Sequence, residues 1–245
     1  MKRTSGQTPS THIEIQASTI GQAWAILVGT VLGRGLNTVD EGRRRKSVDH
    51  VHLHIDRQAW PDTVLQQFSP THNMQLMVDF TFQRRRLYDI DVVKSFTTHA
   101  KSYHQRIVEG KMLEFVVSRL ARIPESKKAV MVFPTYDDYR AVLKHPRNDY
   151  LPCIVAIQFR LCGHGRTKTL NTVFFSRSMD VFQKGHGNLA SIVLLSQAVA
   201  ERLQRRKKWN IQLGRLEGMI TDVHIYRESW PEARKAIRRY QKALV

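Results

Sequence analysis

The stretch "PCIVAIQFRLCGHGRTKTLNTVFFSRS", residues 152–178, sets two runs rich in β-branched and aromatic residues on either side of Gly163-His164-Gly165. Glycines flanking one polar residue supply the backbone freedom of a tight turn, so this spacing predicts an antiparallel hairpin. Downstream, "GNLASIVLLSQAVAERLQRRKK" (187–208) is apolar nearly all round for its first turns and then basic, which predicts a buried helix ending in water. "GMITDVHIY" (218–226) reads as a strand and "PEARKAIRRYQKAL" (231–244) as a basic amphipathic helix.

Upstream, "IEIQAS" alternates like a short strand and leads into "STIGQAWAILVGTVLGRG" (18–35), a helix with a Ser18/Thr19 cap. "DEGRRRKS" (40–47) reads as a charged loop. "VDHVHLHID" (48–56) reads as a strand with Val51, Leu53 and Ile55 on one face and His50, His52 and His54 on the other. "PDTVLQQF" (61–68) suits a short helix opened by Pro61, "MQLMVDFTF" (74–82) suits a strand, and "RRRLYDIDVVKSF" (84–96) has no clear period. "EGKMLEFVVSRLARIPES" is an amphipathic helix ending near Pro124, and "KKAVMVFP" a strand. Strands outnumber helices in this reading, and their order fits an α+β fold: a mixed sheet with helices packed on one face.

The 245 residues suit one domain over 1–245, with residues 1–12 expected to fray. A hydrophobic fraction of 42% with 24% charged residues is that of a globular protein rather than a disordered or fibrous one. No apolar run approaches the roughly eighteen residues of a membrane span, and the first residues lack the apolar core of a secretory signal, so a cytoplasmic location and no membrane partner are expected. Two cysteines, Cys153 and Cys162, are too few for a disulfide framework. The formal charge of +18 is the abnormal quantity, and a field of that size attracts phosphates.

Chemistry concentrates in "SRSMDVFQKGHGNLAS" (176–191), which leaves a strand with Arg177, Ser178 and Asp180, crosses a glycine loop and enters the buried helix at Asn188. Arginine offers a planar fork for phosphate, and an asparagine amide offers an acceptor and two donors for the edge of a base. An Arg177–Asp180 surface pair with Asn188 as a helix cap would leave the same residues. His50, His52 and His54 could bind zinc, but a half-exposed strand gives the same alternation with no metal, and none is assigned.

"LPC" before a strand, "SRSMDVF" at the end of its hairpin partner, "GNLAS" opening a buried helix and "DVHIY" on a later strand occur in one order over residues 150–227. This arrangement resembles the thymidylate synthase family, which includes the pyrimidine nucleotide hydroxymethylases. "RIPESKKAVMVFP" (122–134) and "KSYHQRI" (101–107) look like further segments of it, and "GRRRKS" falls where the family keeps a phosphate-binding arginine loop. The resemblance implies a C5 methyl- or hydroxymethyltransferase with the open face of its sheet in a homodimer. Cys153 would be the nucleophile that adds to C6 of a pyrimidine, a task for a thiolate, with Tyr103 and Asp180 beside it. Arg177, Ser178 and Arg44, among Arg43, Arg44 and Arg45, would hold the phosphate of a pyrimidine nucleoside monophosphate. Lys127 and Lys128 stand where the family has an arginine pair reaching the partner's phosphate, His224 and Tyr226 match the pair on the sugar hydroxyl, and Asn188 matches the reader of the base, suiting uracil better than cytosine. Asp180 matches the aspartate near the pterin, so 5,10-methylenetetrahydrofolate is the implied cofactor.

Four departures stand out. Ile154 follows the cysteine where the family has histidine, and Ser176 precedes the arginine where it has glutamine. The family glutamate of "H-E-L-L-W-F-L" has no counterpart among residues 60–100, where Asp79, Asp89 and Asp91 are the acids considered in its place, and the long C-terminal tail does not follow "HIYRESW". These departures and the basic runs "RRR" (43–45, 84–86) and "RRKK" (205–208) also suit a second reading, the same fold with a decayed site holding nucleotide or nucleic acid.

Overall fold

The computed structural model describes residues 12–82, 101–144 and 150–244. Of the run 1–12 expected to fray, residues 1–11 lie outside that set, as do the run "RRRLYDIDVVKSF" and with it Asp89 and Asp91.

An eight-stranded mixed sheet forms the frame. β1 (Ile13–Ala17), β3 (Arg43–Ile55), β8 (Asn210–Tyr226), β6 (Thr167–Ser176), β5 (Ile154–Cys162) and β4 (Val130–Val132) lie side by side in that order, with β2 (Leu36–Asp40) added to β3 and β7 (Met179–Asp180) to β8. β1/β3, β6/β8 and β7/β8 run parallel and the remaining pairs antiparallel. The hairpin read from residues 152–178 is β5 and β6, turned by Gly163 at φ 98 and Gly165 at φ 57.

Two helices supply most of the cover on one face. α1 (Ile20–Arg34) buries Ala23, Trp24, Leu27, Val28 and Val31 against β3 and β8, and α7 (His186–Lys207) buries residues on nearly every side of its first three turns. α5 (Met112–Arg122) packs on α7, and α8 (Trp230–Lys242) packs on α1 and on α2 (Thr63–Phe68). Trp24, fully buried, donates its indole N–H to Val181 O at 2.9 Å and so ties α1 to the turn that precedes α7.

The opposite face carries a largely apolar row and a mostly polar row across the sheet. Ala156, Phe175, Met219 and His52 pair laterally in one row, and Gln158, Val173, Glu217 and His54 in the next. All are half-exposed except Met219, which is exposed.

The structure corrects the sequence reading at four places. Residues 71–82 form a helix, α3 (Thr71–Phe82), and not a strand, because Met74 and Met77, one turn apart, are buried in its packing on α7. The "charged loop" is the β2–β3 hairpin, whose turn is only Glu41-Gly42. Helices are as numerous as strands among the described residues, since α4 (Tyr103–Glu109) and α6 (Tyr136–Lys144) add to those read from periodicity. The histidine alternation breaks at His50, which adopts φ 53, so that Val48 and Val51 are both buried while His52 and His54 keep to the open face. Among the described residues no helix is long and apolar enough to cross a membrane.

Candidate active site

Four element ends meet at one end of the sheet: the start of β5, the end of β6, the start of α7 and the end of β8. Pro152 holds the chain out of the ladder, and Cys153 follows at a bend immediately before β5, half-buried. Its carbonyl accepts the Arg177 N–H at 2.9 Å and lies 2.9 Å from Ser176 Oγ, which is also 2.8 Å from Ser178 O. Ser176, where the family has glutamine, therefore fixes backbone on both sides of Arg177. The Arg177 guanidinium donates to Leu151 O at 2.6 Å and Pro152 O at 3.2 Å, and its Nη2 stands 4.0 Å from Cys153 Sγ. Arg177 does not pair with Asp180.

A tyrosine pair sits behind the cysteine. Tyr103, the first residue of α4, is buried and accepts the Ile154 N–H on its phenol oxygen at 2.9 Å. Ile154 thus replaces a polar family residue with a buried side chain while its backbone carries the contact. Burial, and then the neighbouring Cys153 sulfur, push the Tyr103 phenol above its ordinary range. Tyr150 hydrogen-bonds Tyr103 and is raised by burial first and by Tyr103 and Cys153 next. Tyr150 was not singled out from sequence, and its only signal there was a place three residues before Cys153. α4 itself is anchored by Arg106, 3% exposed, whose guanidinium holds Asp138 in two contacts of 2.6 and 2.7 Å and Phe133 O at 2.9 Å.

Asp180 opens the π-helical turn Val181–Gly185. One carboxylate oxygen accepts the backbone N–H groups of Phe182 (3.2 Å) and Gln183 (3.1 Å), and the other accepts the Gln183 amide at 2.9 Å. Its first observable duty is to shape that turn. Asn188, in the first turn of α7, is 3% exposed and its side-chain amide has no hydrogen-bond partner among the described residues.

At the end of β8, Arg45 belongs to a charged network. Arg45 faces Tyr226 across the β3–β8 ladder and donates to both oxygens of Asp222 at 2.9 and 2.7 Å. Asp222 in turn lies 2.8 Å from His224 Nδ1, which is 3.5 Å from Ser178 Oγ, and Tyr226 donates to Asp40 at 2.8 Å. Burial resists ionisation of Asp222, but the hydrogen bonds from His224 and Arg45 outweigh it and hold the carboxyl below its ordinary range. Burial and the Asp40 carboxylate raise the Tyr226 phenol. Arg44 is exposed and pairs with Val39 in the β2–β3 hairpin. Alternation along β3 sets it on the side opposite Arg45.

Cys153, Tyr103, Arg177 and Ser178 therefore come together, with His224 beside Ser178. Lys127 and Lys128 do not join them: both are exposed just before β4, where Lys127 O accepts from Gln158 and Phe159 N–H donates to Ala129 O. That places them about 20 Å along the sheet from their own Cys153, at ~3.3 Å per strand residue. α3 is the helix where the family glutamate is sought, and its polar side chains include Gln75, whose amide donates to Asp79 at 3.0 Å. Among the described residues no group of three His, Cys, Asp or Glu side chains could hold a metal ion.

The family model described as thymidylate synthase matches residues 50–245, four-fifths of the chain. No curated protein matches it.

Proposed function

Because the chain belongs to the thymidylate synthase family, we propose that it transfers a one-carbon unit to C5 of a pyrimidine nucleotide, with Cys153 as the nucleophile. The observation that carries this reading is the Cys153 bend, pinned through its carbonyl by Arg177 and Ser176, with its sulfur 4.0 Å from a guanidinium. The thiolate adds to C6, the displaced electron pair makes C5 nucleophilic, and after C5 takes the carbon and loses its proton the C6–S bond breaks to release the enzyme. When bound, 5,10-methylenetetrahydrofolate would supply that carbon at the oxidation level of formaldehyde, to be captured by water as hydroxymethyl, and would also supply the hydride where the product is methyl. Asp180, at the start of the turn that leads into α7, is the carboxylate that we assign to the pterin ring.

Other side chains divide the substrate among them. The unpartnered Asn188 amide donates to a carbonyl and accepts from a ring N–H, which fits uracil better than cytosine. With Nδ1 of His224 held by Asp222, its Nε2 is the acceptor for a sugar hydroxyl, and Tyr226 stands beside it with ring centroids 5.0 Å apart. Arg177 and Ser178 are the phosphate contacts within the chain, and Arg44, exposed on the other side of β3, is the third phosphate residue that the family resemblance assigns. We further infer a homodimer through the open sheet face around Phe175 and Met219, which carries Lys127 and Lys128 toward the partner's phosphate. Tyr103 and Tyr150, both held protonated by burial, are the nearest phenols to the sulfur and offer the proton relay that the absent glutamate leaves open.

The test is incubation of the protein with dUMP, UMP, dCMP or CMP and methylenetetrahydrofolate, followed by mass spectrometry of the nucleotide. The expected result is a dUMP or UMP product one methyl or one hydroxymethyl group heavier. Unchanged nucleotide in all four reactions refutes the proposal.

A further inference from the structure

The end of the sheet away from Cys153 concentrates unpaired positive charge. β5 ends at Cys162, β6 begins at Thr167, α7 ends at Lys207 and β8 begins at Asn210, so the elements that assemble the active site also assemble a second surface. The 22 residues of α7 hold the two ends roughly 30 Å apart at ~1.5 Å per residue. Thr167 pairs with Asn210, and the Asn210 N–H donates to Arg166 O at 2.8 Å, which joins the start of β6 to the start of β8. Arg166 and Lys168 thereby meet Arg205, Arg206, Lys207 and Lys208 from the end of α7. Trp209 lies among them half-buried, its ring centroid 5.8 Å from Lys168 Nζ and 5.4 Å from Lys207 Nζ.

Among the described residues none of these six cations has a carboxylate within 4.0 Å. Arg206 donates to the neutral Ser118 hydroxyl and Lys168 to Gly163 O. Cations in the last turn of a helix complement its dipole, which accounts for the sign of the charge on α7. It does not account for Arg166 and Lys168, which arrive from β6, nor for a half-exposed indole flanked by two ammonium groups. Clustered like charges repel, and a bound polyanion relieves that repulsion.

We propose that this end binds single-stranded nucleic acid, with backbone phosphates on the six cations and an unpaired base stacked on Trp209. Trp209 packs partly on the core and leaves the rest of its ring open beside the cations; stacking on such a ring is how single strands are held without sequence readout, and a duplex has no free base face to offer. The surface is separate from the nucleotide site, so it stands or falls independently of the catalytic reading.

The experiment is fluorescence anisotropy of a labelled oligothymidylate of about twenty nucleotides with the full chain, between about 50 and about 200 mM salt. Six phosphate contacts predict a slope of log K against log salt near −4, from ~0.7 per contact on a single strand. The variant R166Q/K168Q/R205Q/K207Q should flatten that slope by about 3, Trp209→Leu should weaken binding about tenfold at unchanged slope, and Trp209→Phe should restore most of it. Thermal unfolding of each variant checks that the fold survives, and Cys153→Ala should bind like the parent. No binding at the lowest salt, an unchanged slope in the fourfold variant, an unaffected Trp209→Leu, duplex DNA bound as tightly as the single strand, or phosphatidylserine vesicles bound in its place would each overturn the proposal.

Discussion

The two ends of the sheet are built from the same four elements and treat charge in opposite ways. At the Cys153 end Arg177 holds two backbone carbonyls, Arg45 holds Asp222, and Arg106 holds Asp138. At the Trp209 end six cations, five exposed and Lys168 half-buried, have no carboxylate within 4.0 Å among the described residues. A fixed guanidinium defines a geometry for chemistry, whereas free side chains on flexible stems suit a ligand that varies in shape. The net charge of +18 thus has a location and not only a size.

The sharpest way to break this comparison is Cys153→Ala. It should lower turnover by on the order of 10⁴-fold or more while nucleotide binding, followed by calorimetry, stays within about twofold of the parent. The fourfold variant at the other end should leave turnover unchanged, and a loss there would merge two sites held to be distinct. Next in size is Arg106→Met, which removes a buried guanidinium from its ion pair and leaves the half-buried Asp138 with only its Thr135 contacts at the base of α4. Chemical denaturation should show a loss of about 3–5 kcal/mol.

Acid sensitivity sharpens the same contrast, because the buried groups lie on the catalytic side. His186, fully buried between Trp24 and Pro70 O, is pushed down to about 4 by burial, against an ordinary value of 6.5. The unfolded chain therefore takes up a proton first as pH falls below about 6.5, and stability declines until about pH 4 by roughly 3 kcal/mol. Asp138 is resisted by burial but held below its ordinary range by Arg106 and Thr135, so its contribution is present at neutral pH and is lost at still lower pH. Denaturation midpoints of His186→Gln should be flatter than the parent's between pH 6.5 and 4. A parallel curve would remove His186 from this role. The smallest expected effect is on assembly: Met219→Arg on the open face should shift the chain from dimer to monomer in light scattering while its melting temperature changes by only a few degrees.

What was legible in the sequence follows from how local each signal is. The β5–β6 hairpin rests on two glycines and two β-rich runs, all within 27 residues, and α7 on an apolar run that no other element explains. α3 was misread because Met74, Leu76, Val78 and Phe80 alternate with Gln75 and Asp79, and only the packing of Met77 beside Gly187 of α7 makes a helix the better burial. β2 and α6 were missed for a related reason: Val39 is 67% exposed and α6 has no buried residue, so neither carries an apolar face to read. The site was legible as an order of motifs around Cys153, Arg177, Asn188 and His224. The pairing of Arg45 with Asp222, separated by 177 positions, was not, since nothing local in "GRRRKS" tells which arginine meets a carboxylate across the sheet.

The central claim is that Cys153 attacks C6 and thereby activates C5, and release of the C5 hydrogen reports that step directly. Nucleotides carrying tritium at C5 should lose the label to water in the presence of the protein and methylenetetrahydrofolate, fastest for the uracil nucleotide, and Cys153→Ala should release none above background. Release by Cys153→Ala at the parent's rate, or retention of the label by the parent with every pyrimidine nucleotide, would contradict the account.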